Sequence, residues 1–243
     1  MPDSFETAPE IRPASTVVLL RDTDDGLETL LLKRNKALMF AAGAWVFPGG
    51  ALDPEDLDEA SGDMVAASRI AAAREAQEES GLLPRLEDMV LLSHWTTPEG
   101  EPRRFSTWIY AAPLAADDEV VIDGGEIHDS RWIGLREAAA EHEAGQLSML
   151  PPTYVTLCNL ARYDTVAEMV ATERVSPVPE VFPVFSKDGE QLMVMFRGDA
   201  GYDSTDPSLQ GARHRAVLDG RRWEYLYQDV DPFFPPLILA AQR

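Results

Sequence analysis

The sequence predicts an α/β protein, in which strands and helices alternate over the first part of the chain. Three observations indicate this class: apolar runs of strand length near the N-terminus, one long Ala- and Arg-rich segment typical of a helix, and further apolar runs after it. The chain has 243 residues, of which 45% are hydrophobic. It can therefore bury a sizeable core, in one large domain or in one domain with an extension.

Two apolar runs separated by a polar turn predict the first strands. Residues 14–21 (ASTVVLLR) and 28–34 (ETLLLKR) have the composition of strands, and the DTDDG sequence between them is typical of a turn. Residues 44–50 (AWVFPGG) form a short apolar run that ends at a Pro-Gly-Gly break. The acidic segment 52–63 (LDPEDLDEASGD) is predicted to be a loop.

The strongest helix signal follows this acidic segment. Residues 64–80 (MVAASRIAAAREAQEES) are rich in good helix formers, and Gly81 occupies the position of a C-terminal cap. Further strands are predicted at 88–97, 105–112 and 130–135, and a second helix at 135–145.

The chain divides into three segments by character. Residues 1–13 are polar and are predicted to be a flexible arm, and residues 14–150 form the main unit. Residues 151–243 are predicted to be a C-terminal extension packed on that unit, because no flexible linker precedes them. Two helices are predicted there, at 151–163 and 164–174, followed by strands in VFPVFS, QLMVMFRG and RWEYLY.

The charge balance excludes several classes of function. Asp and Glu total 42 against 21 Lys and Arg, which gives a net charge of −21. A chain this acidic is poorly suited to nucleic acid or to an anionic membrane surface. No apolar run approaches the roughly 20 residues that a membrane span needs, and the N-terminus lacks the apolar segment of a secretory signal. The only cysteine, Cys158, lies in an apolar stretch and is predicted to be a buried thiol, so we expect a cytoplasmic protein.

The helix at 64–80 carries an unusual acidic face. Glu75, Glu78 and Glu79 are spaced i,i+3 and i,i+4, so their side chains are neighbours, and no lysine accompanies them. Arg74 precedes them, and its guanidinium group could hold a carboxylate in a fixed orientation. Close carboxylates are typical ligands of a hard cation such as Mg²⁺. From the helix alone, a metal site and a solvated surface are equally good interpretations.

The upstream sequence favours the metal site. FPGG (47–50), the acidic segment and REAQEESGL together resemble the Nudix box, Gly-x5-Glu-x7-Arg-Glu-U-x-Glu-Glu-x-Gly-U, in which U is a bulky aliphatic residue. The matching positions are Gly50, Asp56 in place of the first Glu, Arg74, Glu75, Glu78, Glu79, Gly81 and Leu82. Ala76 replaces the aliphatic residue. Asp56 and Arg74 are 18 positions apart instead of eight, which implies a ten-residue insertion before the helix.

This resemblance implies a fold and a chemistry. The implied fold is an α/β/α sandwich around a mixed β-sheet. Glu78 and Glu79 would bind Mg²⁺ or Mn²⁺ with the carbonyl of Gly49, and Glu126, which precedes a Trp-containing strand as in many Nudix proteins, would join them. Glu75 is a further ligand or the general base, with Arg74 orienting it. The choice of Glu75 or Glu126 as the base stays open.

A second resemblance concerns the substrate. Residues 30–50 are similar to the motif that precedes the box in coenzyme A diphosphatases, with matches at Arg34, Gly43 and 47–50 and replacements at Leu32, Asn35 and Met39. Arg34, Arg103 and Arg104 are candidate phosphate-binding residues, although Arg103 and Arg104 could equally be surface ion-pair partners.

We therefore expect a metal-dependent Nudix hydrolase that cleaves the diphosphate of a nucleoside-diphosphate derivative, with coenzyme A or acyl-CoA as the first substrate hypothesis. The alternatives are an ADP-ribose or dinucleotide diphosphatase, or an inactive Nudix-fold module for ligand binding or regulation. A homodimer is left open.

Overall fold

A computed structural model describes residues 10–35, 43–115, 119–122 and 124–239. The predicted N-terminal arm falls largely outside this part of the chain, but residues 11–13, which the sequence assigned to the arm, already belong to the first strand. The strands are β1 (Ile11–Thr23), β2 (Gly26–Arg34), β3 (Trp45–Val46), β4 (Gly49–Ala51), β5 (Val90–Thr96), β6 (Arg104–Pro113), β7 (Ile127–Gly134), β8 (Glu180–Val181), β9 (Val184–Asp188), β10 (Gln191–Met195), β11 (Arg213–Asp219) and β12 (Arg222–Gln228). The helices are α1 (Pro54–Glu59), α2 (Met64–Ser80), α3 (Leu135–Glu143), α4 (Pro151–Leu160) and α5 (Val166–Glu173).

The strands form two sheets. The larger sheet has the order β3-β2-β1-β6-β5-β8, with β4 also pairing with β1 and β7 with β2. It is mixed, because β1 runs parallel to β6 and β5 parallel to β8, whereas the other pairs are antiparallel. The smaller sheet is antiparallel, with the order β12-β11-β10-β9.

Each face of the larger sheet is covered by a separate hydrophobic cluster. On one face, Val17, Leu19 and Tyr110 pack with the alanines of α2. On the other face, Val18, Leu20 and Ile109 pack with residues of α3, α4 and α5 and of the smaller sheet. The alternation of buried side chains along β1 thus supplies both cores, as expected for a strand covered on both sides. The predicted α/β/α sandwich around a mixed sheet is confirmed.

Two elements differ from the sequence prediction. The acidic segment 52–63 is not a simple loop, because Pro54–Glu59 form helix α1. Proline is favourable in the first turn, where its missing N–H is not needed, and Asp53 precedes it as the N-cap residue. Strand β11 (Arg213–Asp219) is also present, in a stretch where the sequence predicted no strand.

Helix α2 has the bounds that its composition predicts, and both of its ends are capped. The Asp63 carboxylate accepts hydrogen bonds from the backbone N–H groups of Val65 and Ala66. At the other end Gly81 adopts a left-handed conformation with φ 75°, which only glycine adopts without strain. These caps fix the register of α2, and with it the direction of the glutamates on its last two turns.

The residues after 151 contact the main unit through buried polar groups as well as apolar packing. The fully buried His142 of α3 donates from Nδ1 to the Leu147 carbonyl and accepts at Nε2 from the backbone N–H of Trp223 in β12. This pattern requires a neutral imidazole, and burial lowers the pKa of His142 accordingly. Cys158 of α4 is partly buried, and desolvation raises the pKa of its thiol to about 11 and keeps it protonated.

Candidate active site

The last turns of α2 lie directly over strand β4, where Gly50 allows the close approach of α2 and Gly49 allows the close approach of β1. A Cβ atom on Gly50 would lie 2.4 Å from Oε1 of Glu75, and one on Gly49 would lie 2.4 Å from the Ser15 carbonyl oxygen. The backbone N–H of Gly49 donates a 3.0 Å hydrogen bond to Oε2 of Glu79. The Gly-Gly pair and the helix glutamates, which lie far apart in the sequence, therefore form one site.

Arg74 contacts several of the acidic side chains of this site. Its Nη1 donates to Oε1 of Glu75 at 2.9 Å and reaches both carboxylate oxygens of Glu78 at 3.3–3.4 Å. Its Nε and Nη2 donate to the Asp56 carboxylate at 3.2 and 3.0 Å, and Nη2 also donates to the Ala51 carbonyl. The absence of lysine suggested that Glu75 and Glu78 are unpaired, but both side chains contact Arg74. The arginine orients them instead.

Asp56 and Asp53 complete the surroundings of Arg74. Asp56 is only 3% exposed, and its carboxylate also accepts a hydrogen bond from the backbone N–H of Asp53 at 2.8 Å. The Asp53 carboxylate lies 3.5 Å from Arg74 Nη2 and is exposed to solvent. Asp56 was noted in the sequence only as a replacement for the first Glu of the box, and Asp53 was missed. The signal that could have revealed Asp53 is the Asp-Pro pair at a helix start.

Burial raises the pKa of two carboxylates of the site, Glu79 and Glu75. Glu79 is 7% exposed and forms no ion pair within the described residues, and burial raises its pKa to about 7. Burial also raises the pKa of Glu75, against the opposing effect of Arg74. Ionised carboxylates in such positions are stabilised by a nearby cation, and oxygen ligands suit a hard divalent metal ion.

Glu126 and Arg34 approach this cluster from the side of β2 and β7. Nη2 of Arg34 lies 3.2 Å from Oε2 of Glu126, and the backbone N–H of Asn35 donates to the Glu126 carbonyl. Arg34 lowers and Glu126 raises the pKa of Glu79, so both side chains lie within electrostatic reach of it. The structure therefore pairs Arg34 with Glu126 and places both near enough to Glu79 to influence its charge.

The glutamates are close together but do not form a ready-made metal site. Across the described ranges, no three His, Cys, Asp or Glu side chains converge as metal ligands. At α2 the glutamates do not converge because the Glu78 carboxylate faces Arg74. The donor set nevertheless fits a hard cation, because Glu79 is buried and forms no ion pair within the described ranges, and carboxylates supply the oxygen ligands that such a cation prefers. Rotation of the exposed Glu78 side chain would add its carboxylate to this set.

The two remaining candidate arginines occupy a different place. Arg103 is exposed in the loop before β6, and Arg104 begins that strand, where its Nε donates to the Thr97 carbonyl. Arg104 pairs in register with Ile11, four residues before Ser15, which is the partner of Gly50. Of the three candidate arginines, Arg34 is the one whose positive charge lowers the pKa of Glu79. Met39, the replacement in the substrate motif, lies outside the described residues.

Comparison with known proteins gives three findings. A family model described as NUDIX domain matches residues 11–151. An acyl-coenzyme A diphosphatase from Xenopus laevis is 22% identical over an alignment that covers 90% of this chain and 83% of the relative. The crystal structure of a NUDIX hydrolase from Alicyclobacillus acidocaldarius superimposes with a TM-score of 0.63 and 24% identity, over 70% of this chain and 99% of the other. The structural likeness concerns the fold. No helix among the described residues has the length and apolar character of a membrane span.

Proposed function

Because this chain belongs to the Nudix family of diphosphate hydrolases, we propose that it cleaves the diphosphate of coenzyme A or an acyl-coenzyme A in the presence of Mg²⁺ or Mn²⁺. Water would add across one P–O bond of the diphosphate, giving the 4′-phosphopantetheine part and 3′,5′-ADP. The observation that carries the proposal is the Arg74-oriented cluster of glutamates over Gly49 and Gly50.

Nudix hydrolases generally use divalent metal ions, and the donor chemistry of this cluster fits that use. We assign Glu79, Glu78 and Glu75, the Gly49 carbonyl and Glu126 as the residues that would hold the ions. Bound there, the ions compensate the charge of the diphosphate and lower the pKa of a water molecule. On a protein with a net charge of −21, few other groups can meet the anionic substrate.

The remaining roles belong to the chain itself. We assign Glu75 as the residue that accepts the proton of the attacking water, since Arg74 fixes one of its oxygens at 2.9 Å and Gly50 leaves room beside it. Glu126, whose side chain is 61% exposed, is the less constrained alternative. Arg34 is positioned to bind a substrate phosphate, because its Nε is buried and has no hydrogen-bond partner in the described part of the chain.

Support for the substrate comes from two sources. The segment 30–50 resembles the motif of coenzyme A diphosphatases in Arg34, Gly43 and residues 47–50. The Xenopus laevis relative, which aligns with most of this chain, is named an acyl-coenzyme A diphosphatase. Both point to the same substrate class.

The proposed substrate is tested by assaying the purified protein with coenzyme A, its 3′-dephospho form, acyl-CoA, ADP-ribose and a dinucleotide polyphosphate, with products separated by chromatography. We expect coenzyme A or acyl-CoA to have the highest kcat/KM. Arg34→Ala should lower it by about 10²-fold, because a desolvated phosphate loses its charged partner. Arg104→Ala is the matched removal of an arginine. If Arg104 binds the 3′-phosphate, this change lowers kcat/KM for coenzyme A more than for the 3′-dephospho form.

A preference for ADP-ribose would instead overturn the coenzyme A proposal and leave a diphosphatase of another substrate. Absence of hydrolysis of every compound, with ligand binding retained, would indicate an inactive Nudix-fold module.

A divalent cation is expected to raise the melting temperature of the protein, because ligand binding to the native state is linked to folding. At 100 times the dissociation constant the gain is about 2.7 kcal/mol, or roughly 5–10 °C for a chain of this size. The gain should be lost when Glu75, Glu78 and Glu79 are all replaced by Gln. The matched control replaces the exposed Glu59, Glu87 and Glu99 by Gln, which removes the same charge elsewhere. Equal shifts in the two variants would place the cation outside the proposed site.

A further inference from the structure

One hydroxyl group beside the proposed site has no part in the chemistry assigned to it. Oγ1 of Thr16 in β1 donates a hydrogen bond to the carbonyl of Pro48, the residue before the Gly-Gly pair. The backbone N–H of Val17 donates to the same carbonyl oxygen at 3.0 Å. Two donors from one strand therefore hold the Pro48 carbonyl, which has two lone pairs to offer them.

The Pro48 carbonyl and the Gly49 N–H belong to the same peptide unit. No peptide bond among the described residues is cis, and in a planar trans unit the C=O and N–H groups point in opposite directions. The carbonyl end of this unit is held by β1, and its N–H end donates to Oε2 of Glu79 at 3.0 Å. A single rigid plane therefore connects strand β1 to the Glu79 carboxylate.

This peptide unit needs support from outside its own segment. Pro48 is followed by two glycines, and glycine has more backbone freedom than any other residue. A stiffer residue does not fit at position 49, because a Cβ atom there would lie 2.4 Å from the Ser15 carbonyl oxygen and 2.6 Å from Cβ of Thr16. Since the close contact with β1 requires glycine, hydrogen bonds must supply the restraint that a side chain would otherwise give.

The orientation of Glu79 depends on this peptide unit. Glu79 is buried and forms no ion pair with the described residues, whereas Glu75 and Glu78 contact Arg74. Within the described part of the chain, the N–H of Gly49 is the one group that donates a hydrogen bond to the Glu79 carboxylate. A change in the tilt of this peptide would therefore move the carboxylate that we assign to the metal ion.

We propose that Thr16 is a positioning residue for Glu79, which it orients through the Pro48–Gly49 peptide unit. This inference rests on the proposed function, in which Glu79 holds a divalent metal ion. The hydrogen bond from the Val17 N–H alone leaves the peptide plane free to turn about the line that joins donor and acceptor. The second hydrogen bond, from the Thr16 hydroxyl, removes that freedom and fixes the direction of the Gly49 N–H.

The test compares Thr16→Val, which removes the hydroxyl and keeps the shape of the side chain, with Thr16→Ser, which keeps the hydroxyl. In EDTA, the Gly49 amide of Thr16→Val should exchange its hydrogen at least about tenfold faster than in the wild type, measured by NMR. Mn²⁺ affinity, measured by calorimetry, should fall about tenfold, as for other residues that orient metal ligands. The kcat should fall by a similar factor while KM changes by less than about twofold, because Arg34 is untouched. Thr16→Ser should restore all of these properties.

Ser15→Ala is the matched control. The Ser15 hydroxyl also donates from β1 to a backbone carbonyl, but that carbonyl belongs to Trp108 in β6, at 3.3 Å, and not to the Gly-Gly segment. Thr16→Val and Ser15→Ala should lower the melting temperature by similar amounts, about 2–4 °C, because each variant loses one hydrogen bond. Only Thr16→Val should change the exchange of the Gly49 amide and the affinity for Mn²⁺.

A double variant tests whether Thr16 acts through Glu79. Added to Glu79→Gln, Thr16→Val should lower kcat by less than about twofold more, whereas a further tenfold loss would overturn the inference. Unchanged Gly49 exchange and Mn²⁺ affinity in Thr16→Val, or the same changes in Ser15→Ala, would also overturn it, while hydrolysis of coenzyme A by the wild type left the proposed function intact. Weaker Mn²⁺ binding in Thr16→Val, in a protein that hydrolyses no coenzyme A derivative, would overturn the proposed function instead.

Discussion

Replacing Glu79 with Gln is expected to lower kcat by on the order of 10²–10³-fold while raising the melting temperature of the metal-free protein. The loss of activity follows from the assignment of Glu79 as a ligand of the catalytic metal ion. The gain in stability has a separate cause. Burial raises the pKa of Glu79 to about 7, so its ionised form is unfavourable in the folded state, and glutamine can still accept the hydrogen bond of Gly49 N–H.

The sign of the stability effect depends on pH. A carboxyl group with a raised pKa stabilises the folded state only while it is protonated, and that contribution is lost as pH rises through the folded-state value. At pH 8 in EDTA, ionised Glu79 therefore costs on the order of 2–3 kcal/mol, which the Gln variant avoids. Towards pH 5 the melting temperatures of wild type and variant should converge.

Glu87→Gln is the control for this experiment, because Glu87 is exposed and lies outside the box. It should change neither kcat nor the melting temperature by a significant amount. A Glu79→Gln variant that retains full activity would remove Glu79 from the proposed site. A variant with strongly reduced stability in EDTA would show that the carboxylate has a structural role.

Helix α2 shows how far the sequence can predict the fold. Its bounds follow from local composition and from the caps Asp63 and Gly81, and its function-bearing face follows from the spacing of three glutamates. The family resemblance read from residues 50–82 is confirmed by the family model that matches residues 11–151. Local signals suffice here because capping and helix propensity act within a few residues of the chain.

The features that were missed depend on contacts between distant residues. In β11, His214 and Arg215 are buried, which their polarity conceals in the sequence. Arg215 is compensated by the fully buried side chain of Asp199, to which it donates from both Nε and Nη2 at 2.7 and 2.6 Å. Similarly, Arg74 can contact Asp56 only because helix α1 places Asp56 beside it. The sequence did not predict this contact, because the acidic composition of segment 52–63 predicts a loop.

Helix α1 carries the box position Asp56 and leads into the inserted segment, and its contribution to the site passes through that one side chain. Among the residues of α1, all of which the structure describes, Asp56 is the only buried one. Its carboxylate accepts hydrogen bonds from two nitrogens of Arg74. Arg74 in turn holds Glu75 and Glu78. Asp56 is therefore a positioning residue that acts on the glutamates through the arginine.

Asp56→Ala is accordingly expected to lower both stability and activity. Removal of one partner of a largely buried ion pair leaves Arg74 poorly compensated, at a cost of about 2–4 kcal/mol, and the melting temperature should fall by roughly 5–12 °C. Loss of a residue that orients metal ligands typically reduces metal affinity or activity by about 10–100-fold. Measured by calorimetry, Mn²⁺ affinity should fall together with kcat.

Asp56→Glu, which restores the residue type of the Nudix box, should recover much of both. Asp53→Asn, at the exposed partner of the same arginine, should cost less than about 1 kcal/mol. Reduced stability with unchanged Mn²⁺ affinity and kcat would show that Asp56 only supports helix α1 and does not position the site.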